Sequence, residues 1–380
     1  MFLEGLHIPL TTPFQPDGRL NLPKLAANVA RYSKSPAAGL LVLGPSGEPT
    51  LLSDEETREV LRTAAHAVAP EKVLLAGISR DSLRATLDLA DCAAKLAYDV
   101  ILVTVPSIFS SGSHSVANAP TATHASQQSG TTHRRELLLY FQALADRSPL
   151  PLLLFSDRAH TLPLDAVVEL ASHPRILGLL DDVSQPATVE ALIQRTAAIH
   201  RDVPVTHLFA AVTARMMQAA AASHASASFL SANALSAAPS VAQTATALAD
   251  ESPLSAHAPA GSALRTRNKS VGFQILAGNT QSIYDSLRAG SVGAAPAFAA
   301  AAPQACYEVL AAWKDEDPAL AAEKQSRLAA AAHFAEETPG NLKFACALNG
   351  YFGGVPRLPH LPPSGEQRTA IEGLMQPLRN

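Results

Sequence analysis

A parallel (β/α)8 barrel followed by a C-terminal helical appendage is the fold class predicted for these 380 residues, an α/β architecture carrying two low-complexity insertions. Three observations predict it. Short apolar runs rich in Val, Ile and Leu recur along the chain, each followed by a helix-length amphipathic segment, which is the alternation of βα units around a parallel sheet. The runs number about eight, the count of a closed barrel. After residue 300 the pattern turns helical throughout.

The strand candidates are LHIPL from Leu6, GLLVL from Gly39, VLLAG from Val73, DVILVTV from Asp99, PLLLF from Pro151, ILGLL from Ile176, FQILAG from Phe273 and VGAAPAF from Val292. The clearest helix between them opens at Ser53, where SDEE supplies an N-cap serine, acids for the first turn, and Glu56 to complete a capping box. Another starts near Asp81 and Ser82, with Leu83, Leu87, Ala90 and Ala94 on one stripe facing the sheet and Cys92 as a packing residue. Two stretches break the rhythm: residues 107–133, mostly Ser, His, Ala and Thr, and about 218–270, dominated by Ala and Ser. Both read as mobile loop insertions, because neither has the large apolar side chains that offset the entropy of ordering. At the edge of the second, VPVTHLF from Val203 reads as a strand, TARMMQAAAA as a helix and SASFLSA as a further short strand. The barrel is therefore assigned to residues 1–300 and the helical region to 301–380. There Gly353 and Gly354, ahead of Pro356, read as a glycine cap ending a helix.

Composition narrows the function. The formal net charge is −4, and the 29 Lys and Arg residues form no run and no aromatic-interleaved patch, so nucleic acid is not expected as a partner. Cys92, Cys306 and Cys346 stand too far apart for paired metal ligands or a disulfide framework, which fits a reducing compartment. The opening MFLEGLHIPLTTPF has an early acid, no basic region and two prolines, so neither a leader nor a membrane span is expected and the protein reads as cytoplasmic.

Several motifs, in this order along the chain, resemble the dihydrodipicolinate synthase and N-acetylneuraminate lyase family of barrel aldolases. PLTTPFQPDGRLN is similar to the family's first strand and turn, and GLLVLGPSGEPTLLSDEE to its GTTGE loop and following helix. LAGN with GSVGAAPAFAAAAPQ resembles the last two strands, and TPGNLKFACALNGYFGGVPRLP the closing helices. The resemblance covers nearly the whole chain outside the insertions. It implies a pocket for pyruvate held as a Schiff base, with no cofactor, and a homo-oligomer of at least two subunits.

The physical logic of Gly44 to Glu48 is that small residues at a strand end let backbone N–H groups and a hydroxyl approach a carboxylate. Ser46 keeps a hydroxyl where the family has threonine, while Pro45 removes one N–H donor. The pattern serves equally as a bare tight turn. The resemblance further implies substrate binding at Gly47, at Gly278 of LAGN, and at Arg158 or His160 in FSDRAHT, where the family has a carboxylate-binding arginine. A plain loop salt bridge accounts for the last pair as well.

At the chemistry the sequence departs from the family. GLLD, Gly178 to Asp181, puts Leu180 at the position of the Schiff-base lysine, and leucine has no nucleophile. The family's proton-relay tyrosine falls on Phe155, and its second tyrosine is missing from PSIF, Pro106 to Phe109. Lys24, Lys34, Lys72, Lys95, Lys269, Lys314, Lys324 and Lys343 all lie away from predicted C-terminal strand ends. Glu48, Asp157, Asp181 and Asp182 do gather at that face and would suit Mg²⁺ or Mn²⁺, but capping and loop hydrogen bonds explain the same acids, and no metal site is assigned. His114, His124 and His133 are too widely spaced for a ligand motif. The expectation is a family member that binds a small carboxylate or keto acid and has lost Schiff-base chemistry. The alternatives are an active lyase or synthase working through another lysine or a metal, and a non-catalytic subunit.

Overall fold

The computed structural model describes residues 1–109, 125–183, 185–229 and 265–378, with side chains described for all of these except 125–133 and 223–229. Barrel strands alternate with helices: β1 (Gly5–Pro9) and α1 (Leu22–Ser33), β2 (Gly39–Val42) and α2 (Asp54–Ala67), β3 (Val73–Gly77) and α3 (Leu83–Lys95), β4 (Val100–Thr104) and α4 (Ala125–Arg147), β5 (Leu152–Ser156) and α5 (Leu164–Ala171), β6 (Ile176–Asp181) and α6 (Pro186–Thr196). An excursion of β7 (Arg201–Thr206), α7 (Ala214–Phe229) and β8 (Thr266–Val271) precedes β9 (Gln274–Ala277) with α8 (Ile283–Arg288), and β10 (Gly293–Ala294) with α9 (Pro303–Lys314). Three helices close the chain, α10 (Pro318–Ala335), α11 (Pro339–Leu348) and α12 (Gly365–Met375). All eight strand candidates form one closed parallel barrel, ordered β1-β2-β3-β4-β5-β6-β9-β10 and back to β1.

Most barrel strands are apolar on both faces, so the core has two layers. Val73 and Leu75, Val100 and Leu102, and Leu153 and Phe155 fill the interior, whereas Leu74, Ile101, Val103 and Leu154 pack outward under the helices. On β6 the pairing with β5 slips between Leu152 and Leu153, placing one extra residue, Leu177, on the β6 side. Side chains alternate along a strand, so one inserted residue inverts everything beyond it. Leu177 and Leu180 therefore both lie in the inner layer while Leu179 joins the outer one. Gly178, beside the bulge, is obligatory, because a Cβ there would stand 1.8 Å from the Gln274 carbonyl oxygen.

The helix starts follow their caps. Ser53 and Glu56 form the reciprocal capping box of α2, and the Ser82 side chain accepts from the Ala85 N–H at α3. The buried stripe of α3 runs through Leu87, Ala90 and Ala93 rather than Ala94. Elsewhere the structure corrects the sequence reading. The backbone is already helical from Ala125, inside the first expected insertion, since Ala- and Gln-containing sequence extends a helix whose later turns are anchored by Leu137 and Phe141. SASFLSA forms no strand as far as Phe229, because α7 continues through it; its last three residues, and most of both insertions, lie outside the described residues. The glycine that ends α11 is Gly350, at φ 79°, with the Tyr351 N–H reaching back to the Cys346 carbonyl at 2.9 Å, so Gly353 and Gly354 come after the cap.

The second insertion leaves α6 at the N-terminal end of the barrel, and its described part stays there. β7 and β8 pair antiparallel and set Val203, Val205 and Val271 against Phe2. The start of α7 is tied down by Asp99, the residue before β4: its carboxylate accepts the Ala214 N–H at 2.8 Å and pairs with Arg215 at 3.0 Å. Arg215 also donates to the carbonyls of Lys72 and Ala97. The hairpin thus plugs the end of the barrel opposite the C-terminal strand ends.

The tail binds that other end. Glu48, at a left-handed φ of 54°, sends its carboxylate to Lys343 of α11 at 2.5 Å and accepts the Arg357 N–H at 3.0 Å. Lys343 also donates to the Val355 carbonyl at 2.9 Å and lies 4.3 Å from the centre of the Phe14 ring. Burial pushes the Lys343 ammonium pKa down, with Glu48 pulling it back. Arg357 adds a two-pronged pair with Glu56, 2.6 and 2.7 Å.

Candidate functional site

The C-terminal strand ends are lined by residues that the inward alternation delivers two at a time. On β3 the inner series Val73, Leu75 continues to Gly77 and Ser79; on β4, Val100 and Leu102 lead to Thr104; on β5, Leu153 and Phe155 lead to Asp157. Gly77, Ser79, Leu102, Thr104, Phe155 and Asp157 form one wall of a cavity of ≈ 270 Å³. Gly44, Pro45 and Glu48 from the loop after β2 close one side, and His160, Pro339 and His360 close the rest. Gly77 cannot carry a side chain here, since a Cβ would sit 2.1 Å from the Leu43 carbonyl oxygen.

A smaller cavity of ≈ 60 Å³ adjoins it on the barrel axis and shares Pro45 and Phe155. Ser46, Leu180, Asp182, Gly278 and Ala295 line it. Phe155 and Leu180 are Cα partners across β5 and β6, and both are buried in the inner apolar layer. Neither cavity is lined by any of the eight lysines, all of which are among the described residues.

The loop Pro45–Gly47 is a single 3-10 turn. The Gly47 N–H donates to the Gly44 carbonyl at 2.8 Å and the Glu48 N–H to the Pro45 carbonyl at 3.2 Å, so two of its donors are spent locally. The buried Gly47 carbonyl in turn accepts the Thr12 hydroxyl at 2.7 Å. With proline at 45, the Ser46 hydroxyl and N–H are what the loop has to offer a ligand. Gly278 places its N–H on the Asp181 carbonyl at 2.7 Å, fixing the rim where β9 meets β6.

The structure gives three of the acids that the sequence gathers at this end partners of their own. Glu48 is committed to Lys343, Asp181 is buried and accepts the Val183 N–H at 3.2 Å, and Asp157 accepts from both the backbone N–H (2.6 Å) and the ring Nδ1 (3.1 Å) of His160. Among the described residues no three His, Cys, Asp or Glu side chains converge as a metal site. Arg158 is exposed at the rim, where its charge acts on Asp182. Sequence reasoning missed Ser79, Thr104 and His360 as cavity residues. The alternation past Leu75 and Leu102 was the signal for the first two; His360 arrives through the tail and carries none.

Two carboxyls near the smaller cavity are held protonated to unusually high pH. Burial, then the neighbouring Asp157 charge, raises Asp182 to about 6. Burial raises Glu336 to about 7, against hydrogen bonds to one carboxylate oxygen from the Thr280 hydroxyl (2.5 Å) and the Phe298 N–H (2.6 Å). A carboxyl whose pKa is raised by folding binds its proton more tightly in the folded state. Its contribution is therefore present below the ordinary value of 4.5 and lost as pH climbs towards about 7. The cost is on the order of 3 kcal/mol for Glu336. Glu336→Gln, which keeps an acceptor oxygen, is expected to flatten the fall in stability between pH 4.5 and 7. Denaturation midpoints across that range check it, and an unchanged slope would show that Glu336 is not the titrating group.

The chain is similar to known proteins in sequence and in fold. A family model described as the dihydrodipicolinate synthetase family matches residues 2–238. A 4-hydroxy-tetrahydrodipicolinate synthase of Acidiphilium cryptum is 24% identical over 98% of both chains. Another, of Exiguobacterium, is 30% identical over 50% of this chain, an alignment spanning 59% of that relative. Xanthomonas campestris supplies one at 32% over 51% of this chain and 58% of its own length. Among solved structures, YagE of E. coli K12, a prophage protein of the dihydrodipicolinic acid synthase family crystallised with pyruvate, superposes with a TM-score of 0.68 at 22% identity, covering 100% of this chain and 99% of its own. A dihydrodipicolinate synthase of Bacillus anthracis gives 0.70 at 17%, with both chains fully covered.

Proposed function

Since the chain belongs to the dihydrodipicolinate synthetase family, we propose that it binds a small 2-oxo acid at the C-terminal strand ends without forming a Schiff base. The observation that carries this reading is the inward-turned position 180. The bulge on β6 directs that side chain into the inner cavity, and it is a leucine packed against Phe155. A barrel aldolase needs there an amine to attack the keto carbon and a hydroxyl to relay the proton. Lys343, the buried lysine nearest this end in the fold, is held by Glu48, the Val355 carbonyl and the Phe14 ring.

What is left favours reversible binding. The smaller cavity has room for roughly four to six water-sized groups at ~10–15 Å³ each, about the bulk of a three-carbon acid. Its donors are the Ser46 hydroxyl and N–H, which suit a carboxylate, and its walls of Phe155, Leu180 and Ala295 are apolar, with Phe155 and Pro45 shared with the larger cavity into which the rest of the acid can extend. That YagE was crystallised with pyruvate supports the ligand class. Titration of the protein with pyruvate, followed by saturation-transfer NMR, is expected to show reversible binding weakened roughly tenfold or more by Ser46→Ala, the loss of a hydrogen bond to a charged group. No binding to the wild type would sink the reading; binding insensitive to Ser46→Ala would move the carboxylate elsewhere.

A further inference from the structure

An imidazole held by a carboxylate lines the larger cavity. Asp157 accepts two hydrogen bonds from His160, one from its backbone N–H at 2.6 Å and one from ring Nδ1 at 3.1 Å. A carboxylate only accepts, so in the neutral ring this contact fixes the proton on Nδ1 and puts the lone pair on Nε2. Asp81 lies within electrostatic reach of the ring: two hydrogen bonds from Ser107 hold its carboxyl below its usual range, and a charge on His160 would add to that. Thus a carboxylate orients the imidazole and a second is near enough to stabilise it once protonated.

A donor lines the same cavity. The Ser79 oxygen accepts the Thr104 N–H at 2.9 Å, which leaves its own proton to give to a ligand. An imidazole with a free Nε2 and a hydroxyl with a free proton, both lining ≈ 270 Å³ of part-apolar space, are the parts needed to move a proton next to a carbonyl.

We propose that His160, positioned by Asp157, is a catalytic base that enolises a 2-oxo acid whose carboxylate sits at Ser46 and whose keto end reaches past the shared Pro45 and Phe155 into this cavity, with Ser79 donating to the enolate oxygen. The inference rests on the 2-oxo acid reading above. In the step, Nε2 takes a proton from the carbon beside the keto group. That C–H pair becomes the enolate double bond, and the carbonyl π pair moves to the oxygen facing Ser79. Return of a solvent-derived proton through the imidazolium regenerates the acid, so the net change is exchange of hydrogen with water, with no oxidant, metal or covalent intermediate.

The test follows the C3 protons of pyruvate and of 2-oxobutanoate by proton NMR in D₂O with the full-length protein. Wild type is expected to speed deuterium incorporation above the buffer rate, and to do so equally after treatment with pyruvate and borohydride. His160→Gln is expected to lower the protein-dependent rate ~100-fold or more while pyruvate still binds. Asp157→Asn, a change in a positioning residue, is expected to lower the rate at saturating pyruvate and leave half-saturation unchanged. Ser79→Ala gives a second route should His160→Gln fail to fold, with a loss of ~100-fold, the scale of one oxyanion donor. Pyruvate binding without exchange, or exchange untouched by these variants, would overturn the base assignment alone. Absence of binding would remove the 2-oxo acid reading and this inference with it.

Discussion

Lys343→Met is expected to destabilise the protein by about 3–5 kcal/mol, the cost of leaving one member of a buried ion pair without its partner. Both side chains of the Glu48–Lys343 pair are 1% exposed, and they join the loop after β2 to α11. Removing the ammonium leaves the Glu48 carboxylate with the Arg357 N–H and a residue held at positive φ. The double variant Glu48→Gln/Lys343→Met removes both charges and is expected to cost clearly less than the two single changes added together, as coupled neighbours do. Chemical denaturation midpoints measure all three. If Lys343→Met falls within about 1 kcal/mol of wild type, on the scale of an exposed pair, the tail is not held to the barrel by this contact.

Asp99→Ala is expected to be as damaging, at about 3–5 kcal/mol, and at the opposite end of the barrel. The Asp99 side chain is fully buried, and it accepts the N–H groups of Leu74 and Ala214 besides pairing with Arg215. Its loss strips the start of α7 of its acceptor and leaves a guanidinium only 10% exposed without a counter-charge. The local signature is release of the hairpin: amides of β7 and β8 should exchange faster with solvent while those of β3 to β5 remain protected. Uniform loss of protection across the barrel would mean that Asp99 supports the strands rather than the hairpin.

The barrel was legible because a strand buried on both faces is a continuous apolar run, and such runs mark their own length and position. β8 was not, since TRNKSV has polar side chains and exposes most of them; a two-stranded plug needs only Val271 to pack. That β7 and β8 sit at the N-terminal end follows from their place between a helix and the next strand, a matter of topology that composition hides. The bulge at Leu177 was also invisible, because ILGLLD reads the same with or without a slipped register.

The inner cavity could be read by resemblance, since Leu180 and Phe155 fall at the family's lysine and tyrosine positions, although the bulge that turns Leu180 inward could not. The larger cavity needed three strands and the tail brought together. Asp157 and His160 were each noticed in the sequence, one as an acid at a strand end and the other as a stand-in for arginine. Their three-residue spacing in a loop gives no sign of the hydrogen bond between them. Glu336 and its partners Thr280 and Phe298 come from separate elements, so no local pattern announces that carboxyl.

The central claim is that this barrel handles its ligand without a lysine adduct. Incubating the purified protein with pyruvate and borohydride, beside an active family member, and reading intact mass with peptide mapping tests it most directly. No added mass is expected on any of the eight lysines while the control is fully modified. A stoichiometric reduced adduct, on Lys343 or any other lysine, would contradict it and locate the amine that took over the chemistry.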